Sequence, residues 1–303
     1  MQHIRSPFRL FALFALSLFS CSAFGQISVE KGFKTLPLGP DTLCFRYHFE
    51  RGDTLVYSVD AHDSISFVGQ PRLLKVRTEL VTIICDSVTQ GELYHLRVTL
   101  RRSIEKQTTG KDSSQKTGGP WVGRTAYLVI DTLGNRLVTR PDDTTKAALT
   151  PGGAFQPLLL PTLGNSCGRQ NQSWMVEDTT LMVENGVPEP VFAHATLWRV
   201  IDDADTLGRN FKQIQYTQTA LASLTMTSEK VNMKTDAVIA SFGKLSLDSE
   251  LRIPYHLFAT SQNTLEIRFP NGQEVKGKHH TSSHAHLLDV RSANPKRRLR
   301  ISH

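Results

Sequence analysis

Apolar and polar residues alternate through most of this chain with the two-residue period of strands, not the 3.6-residue period of helices. The clearest stretch is Leu93 to Arg102, where Tyr94, Leu96, Val98 and Leu100 are apolar and His95, Arg97, Thr99 and Arg101 are not. A strand with one buried and one wet face suits an antiparallel sheet. Leu73 to Cys85 is also strand-like, and the turn residues of Asp86 to Gly91 join the two into a hairpin. A second hairpin is predicted from Tyr127–Ile130 and Arg136–Thr139 around Asp131-Thr132-Leu133-Gly134-Asn135. Ala220 to Thr227 alternates again, and Leu265 to Phe269 runs into the turn Pro270-Asn271-Gly272.

Helical signals are few. Asp142 to Leu149 could form two turns stopped by Pro151-Gly152-Gly153. Thr108 to Gly119 is polar and glycine-bearing, so it reads as an exposed loop. Residues 277–303 lack apolar periodicity and read as a flexible basic and histidine-containing tail. The predicted fold class is mainly β: a curved antiparallel sheet or open half-barrel, with little helix.

The pattern also repeats at an interval of about 117 residues. Tyr57-Ser58-Val59-Asp60 matches Trp174-Met175-Val176-Glu177 in type, and the hairpin of residues 78–99 matches that of 196–217. Two related halves, about 45–140 and 165–270, are therefore expected within a β domain of residues 26–276.

The first 25 residues follow a different pattern. Arg5 and Arg9 precede the uncharged run Leu10 to Phe19, which is too short to span a bilayer as a helix. Small residues follow, and Ala23-Phe24-Gly25 places a cleavage site before Gln26. A basic start, a short apolar core and a small-residue exit are the parts of a secretory signal. Leu18-Phe19-Ser20-Cys21 offers an alternative cut in which Cys21 becomes lipidated and tethers the protein to a membrane surface. Either cut predicts an exported protein, periplasmic, cell-surface or extracellular, with no transmembrane segment in the mature chain.

Charge changes the picture little. The formal net charge is +7, but Arg5 and Arg9 lie in the signal. Residues 273–303 hold seven basic residues against Glu274 and Asp289. The body between is neutral and the excess lies in the signal and the tail, so a nucleic-acid partner is not expected. Three cysteines remain after either cleavage: Cys44, Cys85 and Cys167. One bridge plus a buried thiol, or three buried thiols, both fit; Cys85 sits in the apolar run Val81–Cys85 and reads as a buried residue.

Candidate chemistry is sparse. His279, His280, His284 and His286 form the most tempting metal-ligand group, because imidazoles are common ligands for zinc, copper and nickel. In a polar tail they read as solvated side chains. Asp60-Ala61-His62-Asp63 sets carboxylates around an imidazole at a strand end, yet it lacks the oxygen ligands and bend glycine of a calcium loop. It reads as a turn. Trp174 and Trp198 fall in strand patterns and should pack in the core, while Trp121 follows Gly118-Gly119-Pro120 and should be partly exposed. Lys296-Arg297-Arg298 with Arg300 reads as a solvated basic run. No phosphate loop, dinucleotide fingerprint or zinc-protease helix is present in the sequence. No catalytic, cofactor-binding or metal residue is nominated, no cofactor is expected, and the chain is expected to be non-enzymatic.

Gly52-Asp53-Thr54-Leu55-Val56-Tyr57-Ser58-Val59 resembles the opening strand of a group of uncharacterised bacterial secreted and lipid-anchored β proteins. The restart at Asn171-Gln172-Ser173-Trp174 and the hairpin around Gly208 resemble the second strand set of that group. The likeness covers about residues 45–230. In layout the chain is also distantly similar to the lipoprotein-carrier (LolA-like) half-barrels. That similarity implies an apolar ligand or acyl chain. The leading expectation is a non-enzymatic periplasmic or cell-surface protein that binds an apolar ligand or another envelope component. The alternative is a structural or protein-interaction module with a self-filled core. A hydrolase with dispersed catalytic residues is the remaining class.

Overall fold

The computed structural model describes residues 42–89, 92–119, 122–141, 159–164, 167–184, 187–206, 209–228 and 231–300. The secretory segment 1–25 with Cys21, the helix expected at 142–149, Trp121 and Gly208 lie outside them.

The described residues form fifteen antiparallel strands: β1 (Thr42–Cys44), β2 (Thr54–Phe67), β3 (Leu73–Thr89), β4 (Leu93–Thr109), β5 (Asp112–Thr117), β6 (Thr125–Ile130), β7 (Arg136–Pro141), β8 (Cys167–Arg169), β9 (Ser173–Glu184), β10 (Val187–Thr206), β11 (Arg209–Ser228), β12 (Val231–Asp248), β13 (Pro254–Arg268), β14 (Glu274–Arg291) and β15 (Leu299–Arg300). Among the described residues β1 pairs with β8 alone. The others make one large open sheet, ordered β7-β6-β4-β3-β2-β14-β13-β12-β11-β10-β9, with β5 on β4 and β15 on β14. The mainly β reading holds, as an open sheet not closed into a barrel.

β14 corrects the sequence reading. Residues 274–291, most of the expected flexible tail, form a long strand in the middle of the sheet, hydrogen-bonded to β2 on one side and β13 on the other. It went unseen because its core-facing positions are Gly277, His279, Thr281, Ser283 and Ala285, small or polar residues that give no apolar alternation. The basic excess of residues 273–303 therefore sits largely on the fold, and a loose tail no longer explains it away. The loop expected at 108–119 is corrected too: β4 runs to Thr109 and turns into β5. β5 is exposed at every position, so this edge hairpin carries no apolar signature.

The segments expected as related halves have the same local order: β2-β3-β4 and β9-β10-β11 are each three-stranded meanders. β1 and β8 precede them and are joined by a Cys44–Cys167 disulfide.

The core occupies one end of the sheet, on one face. Leu55 and Tyr57 of β2, Val81 and Ile83 of β3, and Leu96 and Val98 of β4 are all buried there. Chain segments lie over this end: residues 45–49, 159–163 and 251–253 contribute buried side chains to the same cluster. The hydroxyls and indoles of the core hold these coverings by their backbones. Tyr47 Oη donates to the Pro161 carbonyl (2.8 Å), Tyr57 Oη to Pro254 (2.7 Å) and Trp198 Nε1 to Thr162 (3.1 Å). Trp174 Nε1 donates to Leu163. Each buried polar tip thus has a partner, as burial of Tyr and Trp requires. Bulges near this end, at Cys85/Ser87 and Leu287/Asp289, bend the strands around the covered core.

The segment after β14 is tied down by an ion pair. A 3-10 turn at Pro295–Arg297 follows β14. Arg297, 6% exposed, places Nε and Nη2 at 3.1 and 2.9 Å from the Asp53 carboxylate, which is 0% exposed. The same guanidinium donates to the carbonyls of His48 and Leu251. Arg297, expected as part of a solvated basic run, is therefore a structural residue.

Candidate functional site

The two motifs that looked inert in the sequence meet across the β2–β14 pair. In an antiparallel pair, directly opposed residues share a face. On the core-facing side, Asp63 stands opposite Thr281 and diagonal to His279. His279 Nε2 lies 2.8 Å from Asp63 Oδ1, and its Nδ1 lies 3.1 Å from the Asn263 amide nitrogen on β13. Arg77 of β3 completes the group: its Nη2 is 3.0 Å from Asp63 Oδ2, and its Nη1 is 3.5 Å from Glu79. Asp63, Arg77, Glu79 and His279 are all buried. The cluster sits just beyond the apolar core, where the sheet changes from a packed end to free hairpins.

Burial pushes the Asp63 carboxyl up, but the His279 hydrogen bond and the Arg77 charge outweigh it and hold the group below its usual value. Asp63 therefore adds stability that is fully present above about pH 4 and is lost as the pH falls through the depressed value. Asp63→Asn should lower stability at neutral pH by about 2 kcal/mol and remove that part of the acid transition, as read by denaturant melts across pH. Glu79 is the opposite case. Burial raises its pKa, Arg77 lowers it, and Asp63 and Glu105 raise it further. Its contribution is present at low pH and is lost as the pH rises through the raised value. Glu79→Gln should stabilise the protein at pH 7 by on the order of 1 kcal/mol, with Asp63 still pairing Arg77; equal melts for the variant and wild type at pH 7 would contradict this.

Both ring nitrogens of His279 are engaged, one by Asp63 and one by Asn263. The arrangement is that of a buried polar network, with no ring nitrogen turned toward a hydroxyl or thiol.

The outer face of the same strands carries a different group. His256 of β13 is directly opposite His286 of β14, and His284 lies two residues before His286 on the same face. One nitrogen from each of the three rings lies within 4.8 Å of the others. The His256 and His286 rings stack at 4.5 Å between centroids, and Phe258 packs on His284 at 4.8 Å. All three are half-buried. His256 Nε2 is buried with no hydrogen-bond partner. Burial, with the His286, His284 and Lys244 charges, pulls the His256 pKa down to about 4, so the ring is neutral at pH 7. Asp60 of β2 faces His284 across the strand pair and accepts a 2.8 Å hydrogen bond from Thr78.

The four tail histidines are thus divided. His279 joins the buried network, His284 and His286 join the outer trio, and His280 stays exposed on the outer face. His256, the third member of the trio, is on another strand and nothing near it in sequence marks it; only the strand register does. Trp174 and Trp198 are buried in the core, as expected.

A groove of about 800 Å³ lies where β15 pairs with the end of β14. Val56, Leu288, Val290 and Leu299 give it apolar lining, and Arg291, Arg298 and Arg300 also border it.

No protein-family model matches the chain, and no curated protein matches it. Solved structures to which it is similar include lipovitellin, studied for its lipid–protein interactions, at 13% identity and TM-score 0.45, covering 84% of this chain. The chain spans only 27% of that lipovitellin chain. A putative exported protein with a YmcC-like fold from Bacteroides fragilis is 8% identical, with TM-score 0.26 over 82% of this chain and all of its own. Pseudomonas aeruginosa OpdQ is 9% identical, with TM-score 0.22 over 79% of this chain and all of its own. At these identities and scores none of the three carries an argument about function.

Proposed function

We propose that this chain is an exported, non-enzymatic β protein of the cell envelope, acting as a structural or protein-interaction module whose apolar face is filled by its own side chains. The observation that carries this reading is the covered core. Phe45, Tyr47, Phe49 and Leu163 are buried over the packed end of the sheet, at 0–1% exposure, and hydrogen bonds from Tyr47, Tyr57, Trp174 and Trp198 hold the covering segments. An apolar ligand at that end would have to displace those segments. Export is supported by the Cys44–Cys167 bridge, since disulfides persist in oxidising compartments. It agrees with the basic, apolar and small-residue order of residues 1–25.

A second reading, an apolar or amphiphilic ligand, is favoured by the groove beside β15 and its apolar lining. Native mass spectrometry of the protein purified from its own envelope separates the two. The self-filled module predicts the bare mature chain; a retained lipid would replace it with the ligand reading. The same spectrum gives the mature N-terminus, expected at Gln26, whereas a lipidated Cys21 would place the protein on a membrane surface.

A further inference from the structure

We propose that His256, His284 and His286 form a binding site for a borderline divalent transition-metal ion, with Zn²⁺ as the ion to test first. The geometry comes from the sheet. Residues two apart on one strand point the same way, and a directly opposed residue on the neighbouring strand joins them. Three imidazoles are thereby offered to one point from two rigid, hydrogen-bonded strands near the middle of a large sheet. Zn–N bonds are about 2.0–2.1 Å, so two ligands of one ion lie no more than about 4.2 Å apart. The nitrogens here are within 4.8 Å of one another, a gap that small rotations of the rings close.

A second observation points the same way. His256 Nε2 is buried without a hydrogen-bond partner, an arrangement that costs free energy unless something binds there. The donor set selects the ion: three imidazole nitrogens with no thiolate suit Zn²⁺, Cu²⁺ or Ni²⁺ and not Ca²⁺ or Mg²⁺. Three protein ligands leave a fourth position open to water or an exogenous ligand, as in open zinc sites. Asp60, opposite His284 and itself fixed by Thr78, is the carboxylate placed to support that ligand or a ring N–H.

The test is a titration of the untagged, metal-free protein with ZnCl₂ in competition with a chromophoric chelator. One equivalent per chain is expected. His256→Ala, His284→Ala and His286→Ala should each weaken it by at least about 100-fold, the upper end of what loss of a supporting residue costs. The control is His62→Ala/His280→Ala, which removes two exposed outer-face imidazoles and should leave the affinity unchanged. Co²⁺ in place of Zn²⁺ should give the intense visible bands of a four-coordinate ion, lost in the triple variant. If an alanine variant fails to fold, imidazole NMR of the wild type decides: Zn²⁺ should shift the ring signals of these three histidines and not those of His62 or His280. No binding by the wild type, binding that survives in the triple variant, or shifts centred on His62 and His280 would each overturn the proposal.

Discussion

Arg297→Ala is expected to be the most damaging single substitution in the described chain, costing about 3–5 kcal/mol because it leaves a buried carboxylate without its counter-charge. Asp53 is fully buried, and its Oδ2 accepts from Arg297 and from the Glu50 amide. Without the guanidinium the carboxylate keeps one donor, and the carbonyls of His48 and Leu251 lose theirs. For a chain of this size the melting temperature should fall by about 2–4 °C per kcal/mol, so on the order of 10 °C. Arg297→Lys should recover part of the loss, because a lysine supplies charge but not the planar fork. The companion double variant Asp53→Asn/Arg297→Met should be less damaged than Arg297→Ala, since it buries no orphan charge. Melts of the four proteins test this. A change of less than about 1 kcal/mol, the scale of an exposed pair, would mean that the end of the chain is not held by this ion pair.

Opening the Cys44–Cys167 bridge is expected to have a comparable effect by a different route. The bond joins residues 123 apart, and closing a loop of about that length limits the unfolded chain by about 4–5 kcal/mol in the chain-entropy account. Cys44→Ser/Cys167→Ser, or reduction of the wild type, should lower stability on that scale. Cys85 gives the internal control. It is buried, and its surroundings push the thiol up to about 12, so it should resist alkylation in the native protein and react only on unfolding. Alkylation counts before and after reduction, with melts, provide the check. Equal stability of the reduced and oxidised proteins would remove the bridge as a stabilising element.

Much of the sheet was legible in the sequence. β4 places apolar residues on the core side and polar ones outside, and turn residues separate it from the strand-like runs on either side. Period two was therefore enough to find the hairpins and the class. β14 was not legible because part of its inward row faces the buried Asp63 of β2 and the amide of Asn263 on β13 instead of the apolar core. Polar partners there call for histidine, threonine and serine, which a search for apolar alternation reads as tail. The missed strand hid the sites as well. Asp63 with His279, and His256 with His286, are far apart in sequence and meet only through strand register. The disulfide needed structure for the same reason: the spacing of three cysteines does not state which two are paired. Arg297 was misread because a basic cluster near a chain end is most often solvated, and only the buried Asp53 distinguishes it.

The position of β14 also bears on when the molecule can be made. Among the described residues it is the last long strand in chain order, yet it lies between β2 and β13 and joins the two sets of strands. Until it has emerged, β2 and β13 each present an unpaired edge, and such edges recruit other chains. The first strands must therefore wait for the last, a long-range pairing that slows folding and prolongs exposure to aggregation. Under the export proposed above, in which the chain is threaded across a membrane before it folds, this delay is an advantage: β2 stays unable to complete its sheet until β14 has followed it through.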